Sequence, residues 1–166
     1  MKNKIELINF INTSLEEKKM ILDWRNHPHI RKWMYNQKEI SIESHLNFIE
    51  SLKNSKDKIY CLVKMDKEYI GVIDFTNINH QNKSTYFGLY SNPYSKTTGI
   101  GTILLKTIID YAFNTSNMNI LKLEVFEINK KALNLYKKFN FKQMGEKIVN
   151  NKKVIVMELK NENRKR

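Results

Sequence analysis

The stretch "YSKTTGIGTILL", residues 94–105, sets Gly99 and Gly101 one residue apart directly before an apolar run. This pattern predicts a tight turn opening a helix. The first four amides of a helix lack partners within it, and the helix dipole adds partial positive charge at the same end. A phosphate answers both needs, and glycines let it approach the backbone with no Cβ in the way. Lys96, Thr97, Thr98 and Thr102 add a cation and hydroxyl donors around that turn. On their own, the glycines also fit a plain helix start that needs flexible residues for turning. Two familiar nucleotide loops are absent. No Gly-Lys-Ser/Thr follows at Walker spacing, and position 104, where a dinucleotide fingerprint has its third glycine, is Leu. ATP and NAD are disfavoured.

The elements that must position this turn follow from pattern. Alternation in "IELINF" predicts a first strand, and Ser14 with Glu17 fits a capping box opening a helix through about Trp24, broken at Pro28. "HIRKWMY" resumes a short helical pattern. Ser41 caps another helix whose inner face carries His45, Phe48, Ile49 and Leu52. "KIYCLVKM", "EYIGVIDFTNI" and "STYFGLYS" are rich in β-branched and aromatic residues and read as three antiparallel strands. A helix from about Gly101 to Asn114, a strand "ILKLEVF", a helix "KKALNLYKKF" and two strands around Asn150 and Asn151 complete the order βααβββαβαββ. The expected class is α/β (α+β), with one mixed, mostly antiparallel central sheet flanked by helices.

With 166 residues and 41% hydrophobic content, the chain suits one domain, 1–166, with residues from about 160 onward as a mobile basic tail. No charged-then-apolar leader opens the sequence, and the most apolar window, near Ile100 to Phe113, is interrupted by Lys106 and Asp110. A cytoplasmic protein with no membrane partner is expected. Cys61, the single cysteine, permits no internal disulfide and sits in the apolar run "IYCLVKM", so it reads as a core residue. "HPH" at 27–29 reads as a turn, since no third ligand accompanies it, and no metal is expected. The formal net charge of +12 attracts anions, but the lysines are dispersed and no recognition-helix, zinc or aromatic-strand motif accompanies them. Specific nucleic-acid binding is therefore not expected.

"KTTGIG" after "FGLYSNP", with "NKKALNLYKKFNF" about thirty residues on, resembles the acetyl-CoA signature of the GNAT N-acetyltransferases. The resemblance implies the GNAT fold, acetyl-CoA as co-substrate, and a pyrophosphate held on the backbone of Gly99, Ile100 and Gly101. Lys96 stands where that family has Gln or Arg, which keeps a cation but loses planar hydrogen-bond geometry. Asn129, Ala132 and Tyr136 meet the family's later Asn-x-x-Ala-x-x-x-Tyr pattern, and Asn140 replaces a usual glycine. In that family a tyrosine at the position of Tyr136 protonates the departing thiolate, and a backbone amide near Leu89 or Tyr90 polarises the acetyl carbonyl.

Glu124 shares a strand face with Lys122 and Phe126, and Asp74 offers a second carboxylate from a neighbouring strand. Each reads either as acceptor of the amine proton, Glu124 through a water, or as a paired structural acid. "DWRNHPHIRKWM" resembles a segment of a GNAT branch that includes ribosomal-protein N-terminal, polyamine and nucleotide-amino-sugar acetyltransferases. "RNHP", "WMY", "SHLNFIESLKNS" and "FGLYSNP" are most similar to the enzymes that acetylate the 4-amino group of a UDP-linked amino-dideoxy sugar in pseudaminic-acid biosynthesis for flagellin glycosylation. That implies a nucleotide-sugar pocket lined by Arg25, His45, Thr76, Asn77 and Tyr90, with Arg25 suited to a diphosphate and Tyr90 to uracil or sugar. Arg25 pairing with Asp23 and His45 as a satisfied core histidine are the structural alternatives. A protein N-terminal or polyamine acetyltransferase is the alternative function, and the resemblance leaves room for a homodimer.

Overall fold

Ser14 opens the first helix by capping geometry. Its hydroxyl accepts from the Glu17 amide at 3.1 Å, and the Glu17 carboxylate accepts from the Ser14 amide at 2.9 Å. The computed structural model describes residues 2–165, so Arg166, the last residue of the expected basic tail, lies outside the described residues. The elements are β1 (Ile5–Asn9), α1 (Leu15–Asn26), α2 (Pro28–Arg31), α3 (Ile42–Ser51), β2 (Ile59–Met65), β3 (Glu68–Asn79), β4 (Ser84–Ser91), α4 (Ile100–Asp110), β5 (Ile120–Phe126), α5 (Lys130–Lys138), β6 (Lys142–Val149) and β7 (Lys152–Lys160). The sequence pattern is met except around Pro28, where the helical turn expected over "HIRKWMY" ends at Arg31 and takes in part of the "HPH" expected as a turn. "HPH" is the start of the one-turn helix α2, with the His27 ring nitrogen accepting from the His29 amide and Pro28 in the first turn, where a missing N–H costs nothing.

The seven strands form one sheet in the order β1-β2-β3-β4-β5-β7-β6, antiparallel except between β4 and β5. Residues paired across strands share a face. Cys61, Ile73, Phe75, Phe87, Leu121 and Leu123 point to one face and form the larger core with Leu104, Leu105 and Ile108 of α4 and Leu133 and Tyr136 of α5. Leu62 and Val72 point to the other and pack on Ile21 and Trp24 of α1 and Ile49 of α3. Burying each such side chain contributes about 1.5–3 kcal/mol. Tyr60, Asp74, Thr76, Tyr86, Gly88, Tyr90, Lys122 and Glu124 share this second face, so a polar stripe runs through it beneath the N-terminal helices.

Toward the C-terminal end the chain makes specific contacts as far as Lys165. β7 extends to Lys160, the Arg164 guanidinium donates to the Asn114 side chain at 3.0 Å, and the Asn140 side chain donates to the Asn163 carbonyl at 3.1 Å. Aromatic faces hold the cations too, Arg164 over Phe113 and Lys165 over Phe139. Asn140 itself has φ 71°, the left-handed conformation that explains why glycine is usual there. Asn140→Ala should therefore lose about 1–2 kcal/mol of stability in urea unfolding while Asn140→Gly stays near the wild type. Equal losses in both would assign the effect to the Asn163 contact instead.

Candidate active site

β4 and β5 pair only from Ser84 to Tyr86 against Ile120 to Lys122. Beyond Tyr86 the two strands part, while β4 keeps its pairing to β3 as far as Ser91. From Phe87 to Ser91, including Leu89 and Tyr90, the β4 edge facing β5 is thus free of ladder partners. Asp74 and Gly88 stand opposite each other at the start of this opening. A Cβ on Gly88 would lie 2.6 Å from the Asp74 carboxylate oxygen, so the carboxyl occupies the space a side chain would need. Protein atoms crowd that carboxyl although a little water contact remains. Burial, only partly offset by the Gly88 amide, pushes it up to about 7.

Tyr136 reaches the same opening from the opposite face. Its ring lies 6.0 Å from Phe87 and 5.8 Å from Phe141, and the residue is 8% exposed. Burial, with the Asp74 charge adding to it, pushes its hydroxyl up to about 12, so it carries its proton at neutral pH. Asp74 acts in the same sense on Tyr60 and Tyr90, after burial, which places the carboxyl among three tyrosines.

The glycine turn leads from β4 into α4 and lies beside α5, with Gly101 against Leu135. Gly99 is the N-cap of α4 with φ 75°, and no side chain caps the helix. A Cβ there would meet nothing within 4 Å, so the space beside Gly99 at the start of α4 is open. Gly101 is less constrained than its motif position suggests, because a Cβ would touch only the Leu135 side chain at 3.5 Å. Ile100 is buried, Thr102 is half-buried, and Lys96 and Thr98 are exposed beside the turn. Thr97 departs from the expected hydroxyl donor to an anion. Its Oγ1 donates to Glu68 Oε2 at 2.7 Å, the Ser95 hydroxyl donates to the other Glu68 oxygen, and these bonds hold the Glu68 carboxyl below its ordinary range. Glu68 therefore ties the turn to the start of β3. Asn129 Oδ1 accepts from the Ala132 amide at 3.3 Å, so this motif pair forms the N-cap of α5.

On the second face, Arg25 lies near Tyr60 and Tyr90 and donates to the Asn36 carbonyl at 3.1 Å. It makes no ion pair with Asp23. Asp23 instead faces Tyr94, whose hydroxyl it pushes up. His45 is 5% exposed, and its Nε2–H donates to the Lys18 carbonyl at 2.8 Å, pinning α3 to α1. Burial lowers its tendency to protonate, so the ring is neutral. Thr76 and Asn77 lie at an irregularity in β3, with Asn77 at φ 49° and exposed. Glu124 has both oxygens engaged: Tyr35 donates to one at 2.6 Å and Lys147 pairs with the other at 2.8 Å. Among the described residues no helix is long and apolar enough to cross a membrane.

Tyr35, Lys147 and Glu68 are site-shaping residues that the sequence did not reveal. Tyr35 and Glu124 are 89 positions apart, and no local spacing couples them.

Comparison with known proteins gives the family and the fold. The Acetyltransferase (GNAT) family model matches residues 19–141, and the chain belongs to that family of acetyltransferases. Acetyltransferase PseH from Campylobacter jejuni is 45% identical over 137 residues, which are 82% of this chain and 84% of that one. The crystal structure of Campylobacter jejuni N-acetyltransferase PseH in complex with acetyl coenzyme A superposes with a TM-score of 0.77 at 38% identity, covering 95% of this chain and 99% of that one. A spermidine N-acetyltransferase from Vibrio cholerae, in complex with CoA and spermine, has a TM-score of 0.85 at 19% identity over 96% of both chains, a likeness of fold.

The Asp74 carboxyl makes stability pH-dependent in a definite direction. Folded protein keeps this proton up to about 7, whereas an unfolded aspartate releases it near 4. Between those values the folded state binds more protons, so stability falls as pH rises. Asp74→Asn should therefore melt higher than wild type at about pH 8, and the gap should shrink toward about pH 4. A gap independent of pH would contradict the assignment.

Proposed function

We propose that the protein transfers acetyl from acetyl-CoA to the 4-amino group of a UDP-linked amino-dideoxy sugar, the acetylation step of pseudaminic-acid biosynthesis for flagellin glycosylation. The observation that carries the reading is the β4–β5 opening, with the uncapped α4 N-terminus and Tyr136 on one sheet face and Asp74 on the other. Similarity to PseH over most of both chains supports the acceptor class, as do the motif likenesses in the N-terminal half. The site fits a pyrophosphate at Gly99, Ile100 and Gly101, with Lys96, Thr98 and Thr102 beside it.

The steps assigned to the chain are these. Backbone amides of the free β4 edge near Leu89 and Tyr90 polarise the acetyl carbonyl. Asp74, whose pKa of about 7 matches the task, accepts the proton as the acceptor nitrogen bonds to the acetyl carbon. Tyr136 donates its proton to the thiolate as the C–S bond breaks. Glu124, engaged by Tyr35 and Lys147, serves to hold the 33–36 segment over β5 in preference to acting as base. His45 supports the pocket through α1, while Tyr90, Thr76 and Asn77 supply its sheet side. The cation Arg25 suits an anionic acceptor better than a polyamine.

Free-thiol release from acetyl-CoA, measured with a panel of UDP-amino sugars, spermidine and N-terminal peptides, tests this reading. We expect turnover with a UDP-4-amino sugar. Efficient acetylation of spermidine or a peptide, with every UDP-amino sugar ignored, would overturn the acceptor and leave the acetyltransferase. With the active acceptor, Tyr136→Phe should keep acetyl-CoA binding and slow turnover by about 10²–10⁴-fold. Wild-type turnover in that variant would return Tyr136 to the core as a packing residue.

A further inference from the structure

α1 and α2 meet at His27 and Pro28, and this corner brings two arginines to one place. Arg25 Nη2 donates to the Asn36 carbonyl at 3.1 Å, and Arg31 Nη1 donates to the Gln37 carbonyl at 3.3 Å. Two guanidinium groups therefore reach consecutive carbonyls of one strap. Burial depresses the Arg25 guanidinium, and the Arg31 charge acts on it in the same direction. Among the described residues neither arginine has a carboxylate within salt-bridge distance, although the chain forms such pairs elsewhere. Each also keeps a buried nitrogen with no hydrogen-bond partner, Nη1 of Arg25 and Nε of Arg31.

Like charges held side by side without a counter-ion, each with an unanswered donor, are costly to keep. A fold that only needed to anchor the strap could do so with neutral amides, as Asn26 does by exchanging bonds of 2.9 and 2.8 Å with the main chain of Ile40. The missing element is an anion with several oxygens, since guanidinium forks bind phosphates bidentately. We propose that Arg31 joins Arg25 as the second arm of a clamp for the acceptor's diphosphate, whose oxygens replace the Asn36 and Gln37 carbonyls when the acceptor binds. The strap carbonyls hold the two forks ready, and their replacement by the acceptor's oxygens frees the bonds that Asn36 and Gln37 now accept. This inference rests on the nucleotide-sugar reading and adds to it a residue and a location, on the sheet face opposite the α4 turn.

Calorimetric titration of UDP and of inorganic pyrophosphate into protein saturated with CoA tests the clamp, because CoA blocks the other diphosphate site. We expect UDP to bind the wild type, pyrophosphate to compete with it, and Arg31→Gln to weaken UDP by about 10- to 100-fold. Arg31→Lys, which keeps charge and loses the fork, should fall between them. The melting temperature of ligand-free Arg31→Gln should equal or exceed that of the wild type, since a positive charge acting on the Arg25 guanidinium is gone; a merely structural arginine would lower it. Undiminished UDP binding in Arg31→Gln would overturn the role of Arg31 and leave the nucleotide-sugar reading standing. Pyrophosphate that fails to compete would overturn the diphosphate assignment. Wild-type protein that neither binds UDP nor acetylates a UDP-amino sugar would overturn both.

Discussion

The Asp74 carboxyl lies in the place of a side chain at Gly88, and much of the molecule is arranged around that exchange. A carboxylate inside a sheet is expensive unless something compensates it. Here the Gly88 amide compensates it only in part, and the group holds its proton up to about 7. The same point marks where β4 leaves β5 after three paired residues, so the strained carboxyl, the free strand edge and the opening coincide. Chemistry that needs a proton acceptor and backbone donors together is served by this one local arrangement.

The two layers of helices divide the work. α4 and α5 cover one face with a continuous apolar core, and from that side come the uncapped helix N-terminus and the Tyr136 hydroxyl. α1 to α3 cover the other face with a smaller core beside the polar stripe from Tyr60 to Glu124, the side proposed above for the acceptor. An acetyl donor and an amine approaching from opposite faces would thus meet at the opening without competing for one cavity. Tyr35, Glu124 and Lys147 close the far side of the acceptor face, joining the N-terminal segment to β5 and β6.

Local chemistry was the legible part of the sequence. The Ser14 and Glu17 capping box, the alternation in β2 to β4 and the helix start at Gly99 each depend on neighbours within a few residues, and the structure carries all three. What stayed hidden depends on distant pairing. Nothing near Thr97 signals that Glu68, on a different strand, takes its hydroxyl, and nothing near Glu124 signals Tyr35. The docked tail escaped notice for a similar reason: Arg164 and Lys165 look solvated until Phe113 and Phe139 are placed beside them. His45 shows how pattern and role diverge, since an inward position on an amphipathic helix is equally compatible with a ligand contact and with the Lys18 bond it makes.

The fold itself, before any substrate arrives, holds the proton of the Asp74 carboxyl up to about 7. Carbon-13 NMR of the side-chain carboxyls across a pH series, with Asp74→Asn to assign the resonance, measures this directly. One carboxyl should titrate near 7 and vanish in the variant. A resonance for Asp74 that titrates near the ordinary aspartate value of about 4 would contradict it.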